Sequence, residues 1–461
     1  MKIMLATPLM KERRADLQYI PLGLAYLCSA LKNAGHEVSV LDVRAEKLDD
    51  PEVIARVREF SPRLFGVTSN TCQIREAVAL LDLVKRDFPG ITTVLGGPHV
   101  SALPERTLRE QRSIDIGVVG EGEATITELC GALGAGGDLR GVPGLVFREN
   151  TALVSTAPRC LAANIDELAF PDRDAFPIGI YNSHVIEYKA RPITSILTSR
   201  GCPYQCVFCS KSVFGSRERL RSAGNVIAEM RVLIEEKGYR EIHIIDDNFT
   251  YDLKRAREIC NEIIARRWKA HFSLPNGIRV NNFDDELAAL LRKAGFYSLW
   301  FGVESGDQEV LKFIKKGIQL NQVRKAVATA KRHGFFTGMY FVIGLPGSSP
   351  KSEKMSLDLA RELEPDVIGV GIFTPYPGSE LYDQESGADW EHYRHDFAEH
   401  RFTGSQFDGK YILEQFDLLS QRFYFRPVYY LNLLRRHGML GARRIWINFK
   451  NFLFRRLRLG A

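Results

Sequence analysis

Twice along this chain, short runs of β-branched residues alternate with amphipathic stretches, a rhythm that restricts the fold to parallel strands joined by crossover helices. In the first stretch, strands fall near 2–6, 38–42, 64–69, 92–96 and 114–119. Helices fall near 21–34, 52–60, 74–87, 101–111 and 123–133, and GLAYLCSALKNAG ends on Gly35 as a helix C-terminus should. The expected unit is an open, doubly wound, Rossmann-like α/β domain over residues 1–135. Its ligand crevice should lie outside the carboxyl ends of the strands, at TSNT (68–71), GGPH (96–99) and GEGE (120–123).

Residues 136–190 break the rhythm with GAGGDLRGVPG and PDRDAFPIG, the composition of a linker. A second alternation follows over 191–390, with strands near 193–198, 241–246, 271–274, 298–303, 337–343 and 367–373. Six β/α units without a seventh and eighth make a partial (β/α)6 barrel of the TIM type, open on one side, with its chemistry at the strand C-termini. A helical region occupies 391–461.

Hydrophobic content of 45% and charged content of 26% are those of a globular chain, not a disordered one. The start MKIMLATPLM has no secretory pattern and no apolar run reaches the roughly 18 residues of a membrane span, so the expected location is the cytoplasm. The formal charge of +6 is uneven. Residues 421–461 hold ten of the 62 basic residues and no acidic one, leaving 52 basic against 56 acidic residues before them.

Of eight cysteines, only Cys202, Cys206 and Cys209 are grouped, in a C-x3-C-x2-C loop that follows the first barrel strand. Three thiolates there would leave one iron of a cubane cluster open to an exchangeable ligand. Structural zinc and a fortuitous cluster in the core are the other readings. Zinc wants a fourth Cys or His, and neither His184 nor His243 has zinc-finger spacing. No Cys follows Cys260, which excludes a second Cys-ligated cluster in the C-terminal region.

With RGCPYQCVFCS after its strand, the chain resembles the radical S-adenosylmethionine (SAM) enzymes, and within them the cobalamin-dependent branch, over about residues 1–385. The resemblance implies that the three Cys hold a 4Fe-4S cluster whose open iron chelates SAM, which is cleaved to methionine and a hydrogen-abstracting 5′-deoxyadenosyl radical. Phe208, inside the loop, joins the implied cofactor-binding set. Asp246-Asp247-Asn248 stand where family members contact the SAM amino group, although many carry Gly-Gly-Glu there. Glu304 and Ser305 match the ribose-contacting position, and Arg279 is placed to meet the SAM carboxylate. GLPG, with Gly344 and Pro346, resembles the turn beside adenine and methionine. Individually these have plain readings as strand-end caps, an ion pair between Glu304 and Arg279, and an ordinary turn.

Residues 1–135 resemble the cobalamin module through PLGLAYLCSALKNAGHEVSVLD, GVTSN, GGPHVSA and VVGEGE. The cofactor-binding set here is Thr68, Ser69, Asn70, Gly96, Gly97, His99, Glu121, Gly122 and Glu123. Glycines admit a large planar ligand, and hydroxyl and amide groups bond its amide arms. D-x-H-x-x-G is absent, which implies cobalamin without a protein His below the cobalt, His99 included. The alternative is a nucleotide-binding or empty Rossmann-like domain.

The resemblance implies a methyltransferase acting on an unactivated carbon, with one SAM methylating cobalamin and a second supplying the radical. A cyclase or rearrangement enzyme is the neighbouring alternative; a cobalamin/SAM sensor and an iron-sulfur electron carrier belong to another class. Expected partners are a flavodoxin- or ferredoxin-type reductant and a small molecule. From about 444, Ile445, Phe449, Phe452, Leu453 and Leu457 line one helical face, opposite Asn448, Asn451, Arg455 and Arg458. That pattern suits peripheral membrane contact through 421–461 and a lipid or isoprenoid-like substrate, with packing on the barrel as the alternative. Nucleic acid is disfavoured because no recognition module accompanies the basic residues.

Overall fold

The computed structural model describes residues 1–9, 19–181, 187–382, 393, 407 and 409–458, with side chains of the last helix as far as Phe449. Five parallel strands, β1 (Lys2–Thr7), β2 (Glu37–Asp42), β3 (Leu64–Thr68), β4 (Thr92–Gly96) and β5 (Ile116–Val118), form the first sheet in the order β2-β1-β3-β4-β5. Strand order reverses between β1 and β3, and loops diverging there open a crevice at the strand C-termini. Apolar side chains clothe both faces, Leu5, Leu64, Val94 and Val118 on one and Met4, Phe65, Val67 and Leu95 on the other. Such two-sided burial is why these strands read as near-continuous apolar runs.

The stretch expected to be linker contributes two antiparallel strands, β6 (Leu145–Glu149) and β7 (Ala152–Ser155), to the edge of this sheet. Asn150 at φ 56° makes the tight turn between them. Beyond the hairpin the chain crosses to the second unit. Buried Arg173 pairs with Glu229 at 2.7 Å and donates to the Ser195 carbonyl at 2.8 Å, tying the crossing segment to the barrel.

The second sheet has six parallel strands, β8 (Ile193–Ile196), β11 (Glu241–Ile244), β12 (His271–Ile278), β13 (Phe296–Glu304), β14 (Phe336–Ile343) and β15 (Val367–Ile372), each beside the next. A short antiparallel pair, β9 (Ser199–Arg200) and β10 (Arg219–Leu220), lies between β8 and β11 in the chain. Outward residues such as Ile242, Phe272, Phe301 and Phe341 pack beneath the crossover helices in one core. Ser222, Asp252, Asp284 and Ser349 cap four of those helices through their side chains. Inside the barrel, Trp300 and Tyr340 stack with ring centroids 4.7 Å apart. No described strand closes the sheet from β15 to β8.

Helix Gly409–Tyr424 packs on β15, and helices Pro427–His437 and Met439–Arg458 follow. Phe423, Tyr429 and Leu433 are buried against the barrel core, and Ile445 packs against it. Arg436 and His437 reach buried Asp366 at 3.2 and 3.0 Å, and Arg444 pairs with Glu187 at 2.8 Å. Two of the tail's ten basic residues, Arg436 and Arg444, therefore answer acidic groups of the body. Phe425, Val428, Leu431, Leu434, Met439, Trp446 and Phe449 face outward. Phe449 thus leaves the face that Ile445 occupies, while the side chains of Phe452, Leu453 and Leu457 lie outside the described residues. No described helix is long and apolar enough to cross a membrane.

Candidate functional site

One cavity of about 560 Å³ joins the crevice of the first unit to the mouth of the barrel. Leu5, Leu24, Val67, Val94, Val118 and Ile126 make its apolar depth. Thr68, Gly96, Gly97, Pro98, Gly120, Glu121, Gly122 and Glu123 form the rim on that side. Gly97 sits at φ 99°, and a Cβ there would stand 2.7 Å from the Ser69 carbonyl oxygen and 2.9 Å from the Thr68 hydroxyl, so the 68–70 and 96–99 loops meet too closely for a side chain. Ser69 is buried, receives no place on the cavity wall, and donates its hydroxyl to the Asn70 carbonyl at 2.8 Å. Neither Asn70 nor His99 lines the cavity. His99 is fully buried and shares a 3.3 Å hydrogen bond with Thr71; burial, and then Arg106, push it down to about 3.

On the opposing wall are Cys202, Cys206 and Cys209, in a loop whose stems are held by β9 and β10. Cys206 and Cys209 share a hydrogen bond that, with Lys316 and Arg279 nearby, pushes Cys206 down to about 6 against its burial. The same hydrogen bond, and then burial, push Cys209 up, and burial raises Cys202. Among the described residues no three His, Cys, Asp or Glu side chains stand gathered around a single metal ion. A cubane does not ask for that, since its cysteines each bind a different iron and spread around the cluster. Of the three, Cys206 alone is drawn toward thiolate, and the cationic Lys316 and Arg279 beside it suit a group held by thiolates.

Asp247 and Asn248 line the cavity beside the cysteines, and burial followed by Asp246 pushes Asp247 up to about 6. Asp246 turns away. Its carboxylate accepts the Thr198 backbone N–H at 2.5 Å and the Thr198 hydroxyl, with Arg255 at 3.9 Å. A second cavity of about 450 Å³ shares Asp247, Arg279 and Lys316 with the first and adds Asn276, Glu304 and Tyr340. Arg279 lies 3.5 Å over the Tyr204 ring and donates to the Lys316 and Gly317 carbonyls, at 2.5 and 3.1 Å. Glu304, held at φ 71° after a register shift in β13, accepts from Lys316 at 2.6 Å.

The B12 binding domain model matches residues 13–130, and the Radical SAM superfamily model matches residues 196–360. The chain is 37% identical over 364 residues to the uncharacterized methyltransferase PH0819 of Pyrococcus horikoshii, across 79% of this chain and 78% of that protein. This chain belongs to the cobalamin-dependent radical SAM enzymes. Its cofactors are a 4Fe-4S cluster, SAM and cobalamin. Members of this family act on a small molecule and draw on a reductant. Hopanoid C-3 methylase of Methylococcus capsulatus is 27% identical over 82% of this chain and 71% of that protein. An anaerobic magnesium-protoporphyrin IX monomethyl ester cyclase of Cereibacter sphaeroides is 28% identical over 79% and 60%. The radical SAM methyltransferase TsrM of Kitasatospora setae, solved with tryptophan and a SAM analogue, shares the fold at a TM-score of 0.69 and 23% identity, over 82% of this chain and 74% of that one.

For a member of this family, several expected residues sit differently from their sequence reading. Glu121 and Glu123 line the cavity, but their carboxylates are taken by Arg200 and Arg219, because the barrel brings two guanidinium groups to a desolvated loop. Glu304 pairs with Lys316, not Arg279. Ser305 is buried and accepts the Asp307 N–H at 3.1 Å. Gly344 donates its N–H to Glu353 at 3.0 Å, and neither it nor Pro346 lines either cavity. Phe208 packs on the barrel core. Sequence reasoning passed over Lys316 and Tyr204. Tyr204 lies inside the three-Cys loop, whereas FIKKGI marks Lys316 only by a lysine at a helix end.

Proposed function

We propose that this enzyme transfers a methyl group to an unactivated carbon of an apolar small molecule. The observation that supports this most is the single cavity with the glycine-rimmed crevice on one wall and the three cysteines on the other. Facing walls hold two reacting partners close, and proximity is the protein's main contribution to such chemistry. When bound, the cluster supplies the electron that cleaves SAM, and cobalamin supplies the methyl group.

In this reading Cys202, Cys206 and Cys209 hold the cluster. Asp247 and Asn248 receive the SAM ammonium, carboxylate and amide both being acceptors for it. Lys316 serves the SAM carboxylate while keeping Glu304 oriented for the ribose diol, and Arg279 braces Lys316 from below through its carbonyl. Asp246 holds the strand that leads into the cysteine loop. Gly96, Gly97, Gly120 and Gly122 would admit the corrin and Thr68 would meet its periphery, and no described histidine lines this cavity. The cobalamin unit is 1–135 together with the β6–β7 hairpin, and the barrel unit 191–390 carries the SAM site.

The outward apolar residues of the last two helices, with exposed Arg422 and Arg435 and no acidic residue after 420, support reversible contact with an anionic membrane surface. A Trp446→Ser/Phe449→Ser variant should lose co-sedimentation with anionic liposomes, and equal behaviour of variant and parent would remove this part of the reading.

The test of the activity is mass spectrometry of a metabolite extract incubated with the reduced enzyme and methyl-deuterated SAM. A product carrying the deuterated methyl on carbon is expected. SAM cleavage with a cyclised, unlabelled product would move the reading to ring closure, the activity in the names of several relatives.

A further inference from the structure

Four charged side chains close the wall between the two halves of the cavity. Arg200 ends β9 two residues before Cys202, and Arg219 opens β10, so the stems of the cysteine loop each carry one guanidinium. Arg200 donates through Nη1 to Glu121 at 2.9 Å and through Nη2 to Glu123 at 2.5 Å. Arg219 donates through both Nη atoms to Glu121, at 2.7 and 3.0 Å. Two positive and two negative charges balance, with side chains 3–13% exposed. Burial works against ionised Glu121, yet its bonds to Arg219 and Arg200 hold it below the usual carboxylate range.

Both arginines are fixed from other directions. The Arg200 guanidinium lies 4.9 Å from the Tyr26 ring and 5.3 Å from that of Phe214. Arg219 also donates to the Ala162 and Phe214 carbonyls, at 3.1 and 3.3 Å. Between the stems, Gly201 at φ 87° brings its Cα so near the Arg217 carbonyl that a Cβ would stand 2.4 Å from that oxygen. The stems thus cannot part or slide without breaking several directional bonds at once.

On the crevice side the acids flank Gly122 and follow Gly120, whose N–H donates to the Ser101 hydroxyl oxygen at 2.9 Å. One connected path therefore runs from the glycine rim of the crevice, through Glu121 and Arg200, to Cys202. A buried ion-pair network is a poor way to gain stability but a good way to fix geometry, because bidentate guanidinium–carboxylate bonds constrain angle as well as distance.

We propose that Glu121, Glu123, Arg200 and Arg219 are positioning residues that set the separation and orientation of the cluster relative to the cobalamin. This rests on the two cofactors occupying the two walls of the cavity. Glu121, Glu123 and Arg200 reach the cavity wall, but their charged ends are engaged with one another and with Arg219, so the quartet acts through the loops that it ties together.

The test is pulsed dipolar electron paramagnetic resonance on the full chain, reconstituted with both cofactors and reduced so that the cluster and cob(II)alamin are paramagnetic. The native protein should give one narrow cluster–cobalt distance distribution. Arg200→Lys and Glu123→Gln, at full iron and corrin content, should broaden or shift it, while Arg140→Lys, altering the surface pair with Glu149, should not. An unchanged distribution in both quartet variants would overturn the proposal. So would general unfolding of both, since the quartet would then serve stability alone. No dipolar coupling in the native protein would overturn the placement of the cofactors and the proposal with it.

Discussion

Lys316 places its ammonium 2.6 Å from the Glu304 carboxylate, with the two side chains 11% and 10% exposed, at the junction of both cavities. Glu304 and Cys206 hold that ammonium above the usual lysine range despite its burial. Removing one charge strands the other, which typically costs about 3–5 kcal/mol, while removing both is far milder. Lys316→Met should therefore lower the urea midpoint sharply, and Lys316→Met/Glu304→Gln should recover most of it. SAM binding measured by equilibrium dialysis should fall in both variants. Full SAM affinity in the double variant would remove this pair from the site.

Adjacent carboxylates should separate cleanly. Asp246→Asn loses the partner of Thr198 and Arg255, so the melting temperature should drop; one buried charged bond is worth about 1.5–3 kcal/mol. Asp247→Asn should leave melting nearly unchanged and weaken SAM binding at least tenfold. The reverse pattern would exchange their roles.

His99 gives the fold a pH dependence. Its folded value of about 3 lies below the ordinary 6.5, so between those values the unfolded chain holds more protons there and stability rises with pH. Its contribution is fully present above about 6.5 and is lost as pH falls toward 3, by at most about 1.4 kcal/mol per unit. Urea denaturation at pH 7.5 and 5.5 should show this loss, and His99→Gln should reduce it. The cob(II)alamin spectrum should lack axial nitrogen splitting in both proteins.

Ending the chain at Ser420 should destabilise the barrel as well as remove its outward apolar surface. Phe423, Tyr429 and Leu433 are buried there, at about 1.5–3 kcal/mol each, and Asp366 would lose Arg436 and His437. Calorimetry should show a lower melting temperature for the shortened chain. Equal melting would mean that these helices are not docked as described.

Strand rhythm alone led to both sheets, because fully buried parallel strands and capped amphipathic helices carry strong local signals. The cysteine loop was legible for the same reason, three liganding residues lying within eight positions. The β6–β7 hairpin was lost among glycines and prolines, although VFREN and TALVS alternate around Asn150. Lys316, Arg200 and Arg219 escaped because their meaning depends on partners 12 to 98 positions away. The tail misled where it read as one amphipathic face, since docking on the barrel takes Ile445 inward and leaves Phe449 outside.

The most direct measurement of the central claim is the fate of SAM in the anaerobically reconstituted, reduced chain loaded with cobalamin. Chromatography should find both S-adenosylhomocysteine, from methyl transfer to cobalamin, and 5′-deoxyadenosine, from reductive cleavage at the cluster. A Cys202→Ala/Cys206→Ala/Cys209→Ala protein should form no 5′-deoxyadenosine. Neither product from the native chain at full cluster and corrin loading, or undiminished 5′-deoxyadenosine from the triple variant, would contradict the account.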